Sequence, residues 1–450
     1  MMGKYFGTDG IRGVYGDCFM NNNFAFRVGL ALSRYLCNLY SGKKIKVAIG
    51  QDTRASGAGL VEALARGLHK NGVAVYKLGV VPTPAVALSV VEHNFNLGIA
   101  VTASHNPAAD NGIKLFGELG FKLSESQESE IETLIDSENE ELDKQQLPID
   151  SFSIDGANEY ISYMESLFDE DCLEGLKIVL DLANGATFET TPAVFKKYGA
   201  KTILIGDRPN GTNINDKVGS EYPLKLCEAV RSNHADIGIA HDGDGDRLVV
   251  CNESGEIVDG DVLLAILGVN ALQKNALKST TLVVTEQSNL GLDEAIILAG
   301  GSVVRTEVGD RNVVTRMREI GANIGGESSG HIIFLNAATT GDGLLAALHL
   351  INLLRDVDYK LSKLQAKYRL LPQVTRSLHI AQKLPLGDLR QVQQAITKIE
   401  TELGINGRVL IRYSGTESKI RLLVEGKDSG GIANAIAKLE KSVREDLDVV

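Results

Sequence analysis

No stretch of this 450-residue chain approaches the roughly 18 uninterrupted apolar residues that a membrane-spanning helix needs. The N-terminal MMGKYFGTDGIRG also lacks the apolar run of a secretory leader, so neither secretion nor membrane insertion is expected and the location expected is cytoplasmic. Cysteine is scarce. Cys18, Cys37, Cys172, Cys227 and Cys251 are odd in number and never spaced as CxxC, which fits reduced packing residues rather than a disulfide or zinc framework. Positive charge is in deficit as well: 46 Lys and Arg against 58 Asp and Glu leave a formal charge of -12. General binding of nucleic acid or of an anionic membrane is therefore disfavoured, whereas a small anionic ligand at a local basic site is not. Low-complexity segments are absent.

Apolar residues make up 44% of the chain and can fill several cores, and its length suggests three or four domains. Three segments share one plan of β-rich run, Gly- or Asx-containing loop, helical pattern and second β-rich run. They begin at KIKVAIGQDTRASG, LKIVLDLANGATFE and TLVVTEQSNLGLDE. Such units build right-handed crossovers in partly parallel sheets. The polar, acidic SENEELDKQQLPIDSFSIDG marks a connector, and a weaker seam falls near Ser254-Gly255. Beyond DYKLSKLQAKYRLLPQVT the plan changes to β-rich runs with two helical stretches. The expected fold is α/β: three related α/β domains with mixed sheets over 1–150, 151–254 and 255–368, plus a smaller C-terminal α+β domain over 369–450.

HDGDGDR, His241 to Arg247, lies between two apparent strands, IGIA and LVVC. Asp242, Asp244 and Asp246 alternate with glycine, so their oxygens can converge on one hard cation. An acidic hairpin tip or a calcium loop are the alternatives, but the EF-hand pattern wants Gly where Arg247 stands and helices where these strands stand. Magnesium with an arginine beside it suits phosphate chemistry better. Ser104, in IAVTASHNPAADNGIKLF, sits at a strand end where a hydroxyl can be presented; it needs a base or a metal to act, and no G-x-S-x-G elbow supports a hydrolase. NIGGESSGHIIF groups Glu327, Ser329 and His331: the carboxylate and hydroxyl suit paired sugar hydroxyls, whereas the ring taken alone reads more readily as a satisfied surface or core histidine. LIRYSGTESKIRLLVEG sets Arg412, Ser414, Gly415, Thr416 and Arg421 around a turn that can cradle a phosphate, the alternative being a hairpin with ordinary surface arginines. GQDTRASG offers Arg54 and Ser56, which a solvated loop explains nearly as well.

KYFGTDGIRG, TASHNPAADNGIK, DGDGDR, GGESSGH and RYSGTESKIR, in that order along the chain, resemble the motifs of the α-D-phosphohexomutases. The resemblance implies that Ser104 carries a phosphoryl group and that Mg²⁺ is held by Asp242, Asp244, Asp246 and the phosphoserine oxygen. It also implies an isomerisation that moves phosphate between two positions of a hexose through a bisphosphate, which doubles as activator. Arg12 and Arg247 would neutralise charge on the transferring group, and Lys114 and His331 would move protons on and off sugar oxygens. Glu327 and Ser329 would hold ring hydroxyls, while Arg412, Ser414, Gly415, Thr416 and Arg421 would grip the idle phosphate. FGTDGIRG and the VGDR of Val308 to Arg311 favour the amino-sugar branch over relatives handling mannose or glucose phosphates. A homodimer is the oligomer implied. Ser418 and Tyr413 stand where prolines are common in the family, which implies a looser phosphate loop; His241 and Ser328 are further departures that remove no expected ligand.

Overall fold

The computed structural model describes residues 3–142, 151–169, 171–355, 360–414 and 418–449. Among them lie four sheets. The first has seven strands in the order Phe6–Gly7, Gly10–Val14, Asp110–Gly117, Leu97–Val101, Lys46–Gln51, Ala74–Val80 and Phe152–Ser153. The second runs Ile257–Val258, Val249–Cys251, Ile237–Ala240, Lys177–Asp181, Lys201–Ile205, and the third Ser302–Thr306, Thr281–Thr285, Ile324–Gly326, Ile332–Phe334. The fourth, Gln373–His379, Lys419–Gly426 and Gly407–Tyr413, is wholly antiparallel and is covered by the helices Arg390–Leu403 and Ser429–Asp446. The fold is therefore α/β with mixed sheets and a small last domain. Two edge strands fall just past the expected seams: Phe152–Ser153 joins the first sheet rather than the second, and Ile257–Val258 joins the second rather than the third. Unsatisfied sheet edges recruit whichever extended segment leaves the domain nearby, a pairing that composition does not reveal.

The three repeats share a detail that positions the chemistry. In each, a buried strand that runs parallel to its inner neighbour turns back on itself as an antiparallel hairpin: Leu97–Val101 with Asp110–Gly117, Ile237–Ala240 with Val249–Cys251, Ile324–Gly326 with Ile332–Phe334. The hairpin loops are the TASHNP, DGDGDR and GESSGH segments. In the fourth sheet Gly407–Tyr413 and Lys419–Gly426 also pair antiparallel. The first strands of these hairpins are continuously apolar because both faces of a helix-covered sheet are buried. Leaving such strands, the loops are the first places where polar groups can stand.

Packing joins the first three domains. One apolar cluster runs from Val86, Val90 and Phe116 through Tyr160, Ile178 and Leu180 to Leu263, Val284 and Leu345, all essentially inaccessible. A second fills the outer face of the first domain, where the helices Asn22–Leu39 and Gly57–His69 cross closely. A Cβ on Gly29 would stand 2.3 Å from the Leu64 carbonyl oxygen, and one on Gly67 2.3 Å from that of Phe26, so both positions require glycine. The last domain has its own core around Leu378, Val392, Ile420, Val424 and Leu439.

Candidate active site

Ser104 lies three residues past its strand, in a left-handed backbone conformation (φ 53°). Its hydroxyl is not exposed, as a strand-end position suggests, but fully buried, because the DGDGDR loop of the second domain closes over it. Ser104 Oγ donates to Asp242 Oδ2 at 2.5 Å, and His105 Nδ1 lies 3.4 Å away. Burial, then the Arg247 and Arg12 charges, push His105 down to about 3, so this ring is neutral.

Asp242, Asp244 and Asp246 are all buried, with one oxygen of each within 4.8 Å of the others. Burial and mutual repulsion push Asp242 up to about 8, and Asp244 Oδ1 has no hydrogen-bond partner. A cluster whose negative charge is relieved by taking up a proton, and which keeps an orphaned oxygen, is chemically suited to a hard divalent cation. Lys114 partly fills that role here. Its Nζ donates to Asp244 Oδ2 at 2.7 Å and Asp246 Oδ2 at 2.8 Å, with Asp9 at 3.1 Å. Although burial opposes its charge, the three carboxylates hold Lys114 well above the ordinary lysine range. Thr83 Oγ1 adds a 2.5 Å bond to Asp244.

His331 bridges the second and third domains. Its Nε2 faces Asp246 at 2.9 Å and its Nδ1 faces Glu327 at 3.0 Å. Burial works against protonation, but Asp246 and Glu327 prevail and push the ring up to about 10. Both residues expected to move protons thus stand protonated in this arrangement, clamped by carboxylates; neither is poised as a base. Arg247 reaches Glu221 at 3.3 Å and lies 4.0 Å from Asp242, and Arg12 pairs with Asp9 while its buried Nε is left without a partner. Glu327 also accepts from the Gly309 amide at 3.0 Å.

Three of the residues expected to grip the idle phosphate stand around an open cavity. Arg412, Ser414 and Arg421 line a cavity of about 900 Å³ together with Thr8, Arg311, Glu286 and Glu307. Gly415 and Thr416 lie outside the described residues. The cavity meets the buried cluster through Glu327, which bonds Gly309 in its wall, and through Asp9, next to Thr8. Ser329 is exposed at the tip of its loop. Sequence reasoning missed Asp9, Thr83, Asp52 and Asn215, and left Arg54 between a candidate ligand and a solvated loop residue. In fact Arg54 is buried, paired with Asp52 at 2.9 Å, and wraps the backbone of the serine loop. The one available signal was DTR directly after a buried strand, where a charged pair needs a structural reason.

Family models for phosphoglucomutase/phosphomannomutase match in four consecutive pieces: α/β/α domain I at residues 3–142, domain II at 158–255, domain III at 259–370 and the C-terminal domain at 377–442. The chain belongs to this family of phosphohexomutases, and is accordingly an isomerase. Within it, the chain is 44% identical over 438 residues to the phosphoglucosamine mutase of Pelobacter propionicus, covering 95% of each chain. It is 42% identical to that of Bdellovibrio bacteriovorus, covering 99% of each. Its fold is shared with an Aspergillus fumigatus N-acetylphosphoglucosamine mutase solved with GlcNAc-6P and magnesium, at a TM-score of 0.68 and 17% identity over 99% of this chain and 96% of that one.

Proposed function

We propose that this enzyme interconverts glucosamine 6-phosphate and glucosamine 1-phosphate through a phosphorylated Ser104 and a bisphosphorylated sugar, supplying amino-sugar nucleotide synthesis in the cytoplasm. The observation that carries the reading is the Ser104 hydroxyl bonded at 2.5 Å to a buried three-carboxylate cluster, in a chain so similar to phosphoglucosamine mutases. Mg²⁺ is the proposed ion, held by Asp242, Asp244, Asp246 and Ser104; bound there, it would neutralise charge on the phosphoryl group.

The rest follows from the chain's own groups. In the first half-reaction the P–Oγ bond of phosphoserine breaks as the phosphorus bonds the sugar's free hydroxyl oxygen, giving the bisphosphate. In the second, the other phosphate returns to Ser104 by the reverse exchange. Each half-reaction takes one proton from the attacking oxygen and gives one to the leaving oxygen. Lys114 and His331, both protonated at rest, suit the giving step first and the taking step once emptied. Arg12 and Arg247 flank the loop bearing the charge. Glu327 and Ser329 are assigned to ring hydroxyls, and Arg412, Ser414, Gly415, Thr416 and Arg421 to the idle phosphate. A trace of hexose bisphosphate is needed to charge Ser104. A homodimer is proposed with it, and neither nucleic acid nor membrane is a proposed partner; no described helix is long and apolar enough to cross a bilayer.

The test is isomerisation of glucosamine 6-phosphate beside mannose 6-phosphate and glucose 6-phosphate, with Mg²⁺ and trace bisphosphate. Preference for the amino sugar is expected. Preference for a neutral hexose phosphate overturns the substrate while leaving the phosphoserine chemistry standing.

A further inference from the structure

The carbonyl oxygens of Ser104 and Asn106 are each held by the same two donors, one from each domain. Arg54 Nη2, from the first domain, lies 3.2 Å from the Ser104 oxygen and 2.8 Å from that of Asn106. Asn215 Nδ2, from the second, lies 2.8 and 3.0 Å from the same pair. Arg54 continues to the carbonyls of Pro107 and Asp110. Asn215 is itself left-handed (φ 59°), almost wholly buried, and pinned by its amide to the Ala183 carbonyl at 2.8 Å. Its loop makes one more crossing, where the Ala55 amide donates to the Gly211 carbonyl at 2.9 Å.

The cradle adjoins the metal loop directly. A Cβ on Gly243, between Asp242 and Asp244, would stand 2.5 Å from the Ser104 oxygen and 2.9 Å from Asn215 Nδ2, so only glycine lets the three meet. A non-glycine residue in the left-handed region is strained by about 1 kcal/mol or more and persists only where its surroundings over-determine it. Here they do: Ser104 N donates to Thr102 Oγ1 at 2.9 Å, Thr102 donates to Asp52, and the outward carbonyl is taken by Arg54 and Asn215.

We propose that Asn215 is a positioning residue for phosphoryl transfer: it locks the left-handed Ser104 of the first domain against the metal loop of the second, so that Oγ and the aspartate cluster keep one geometry. The inference rests on the reading of Ser104 as phosphoryl carrier. Transfer is sensitive to such registration, since a displacement near 1 Å can cost about 100-fold. Ligands of the sugar phosphate lie elsewhere, so its binding is not expected to change.

The test is Asn215→Asp, which keeps the shape but sets an acceptor against two carbonyl oxygens, with Asn215→Ala as companion should the first not fold. Intact mass after incubation with hexose 1,6-bisphosphate and Mg²⁺ first establishes that the wild-type enzyme phosphorylates Ser104; failure there ends the carrier reading itself. Given a charged serine, single-turnover transfer to the sugar phosphate is expected to fall about 100-fold while its KM stays within about threefold. Full-speed transfer in a folded variant overturns the inference alone, and so does a loss of sugar affinity matching the loss of rate. Hydrogen exchange on the unaltered enzyme gives a reading that needs no variant. The Ser104 and Asn106 amides are expected to exchange as slowly as those of the Leu97–Val101 strand, and rapid exchange there contradicts a locked loop.

Discussion

Around Ser104, loops from three sheets meet over one continuous apolar core, and Ser104, Lys114 and His331 are each fixed by buried carboxylates. Around Arg412 the last domain brings its own separate core and meets the third domain through polar tethers. Arg408 pairs with the buried Glu425 at 2.9 Å and donates to the Glu286 carbonyl at 2.8 Å and the Ser288 carbonyl at 2.5 Å. Glu425 accepts from the Leu290 amide at 2.6 Å, and Asn289 exchanges two bonds with Leu371. With its amide oxygen turned toward Arg412, Gln287 accepts from Nε at 2.9 Å and Nη2 at 2.5 Å. Apolar burial fixes relative position against any displacement, whereas a few directional bonds allow rotation once exchanged for water. The division suits a reaction in which the transferring group keeps one place while the sugar presents first one end and then the other.

The largest expected break in this comparison is on the fixed side. Asp244→Asn removes the carboxylate that holds Lys114 and bears the orphaned oxygen, and turnover is expected to fall by about 100-fold or more with a matching loss of Mg²⁺ affinity, read by titration calorimetry. Unchanged metal affinity would remove the metal assignment. On the tethered side, Arg408→Ala leaves Glu425 buried without its cation, a loss of roughly 3 kcal/mol or more that is expected to fall on the last domain alone. Scattering should show that domain loosened, and KM should rise more than kcat falls. Equal loss of stability in all four domains would mean the tether is part of a single cooperative core.

The smallest effect concerns pH. His349, in the apolar helix Gly343–Leu354, stacks on Phe334 at 4.0 Å, and burial pushes it down to about 4. Its folded value lies below the unfolded one near 6.5, so the unfolded chain binds the extra proton between those limits. Stability is complete above pH 6.5 and declines as pH falls toward 4, by on the order of 2 kcal/mol. His349→Phe should flatten that part of the unfolding profile, measured by denaturant titration at stepped pH; an unaltered slope would assign the acid sensitivity elsewhere.

Much of the chemistry was legible in the residues. Three alternating aspartates between apolar strands cannot be buried without a cation, and repeated strand, loop and helix patterns can bury their faces only as covered parallel sheets. What the sequence could not reveal was partnership across long separations. Arg54 looks like a surface arginine until the fold brings the carbonyls of residues 104 to 110 around it, and Asn215 looks like a turn residue until a second domain presses it on Ser104. Lys114 and His331 are plausible bases by residue type, yet the carboxylates gathered around them make them cations. Identity, periodicity and spacing are local, and they set the elements and the reactive groups. Protonation, strain and reach depend on charges and carbonyls from 50 to 132 residues away, which only tertiary packing brings within a few ångströms.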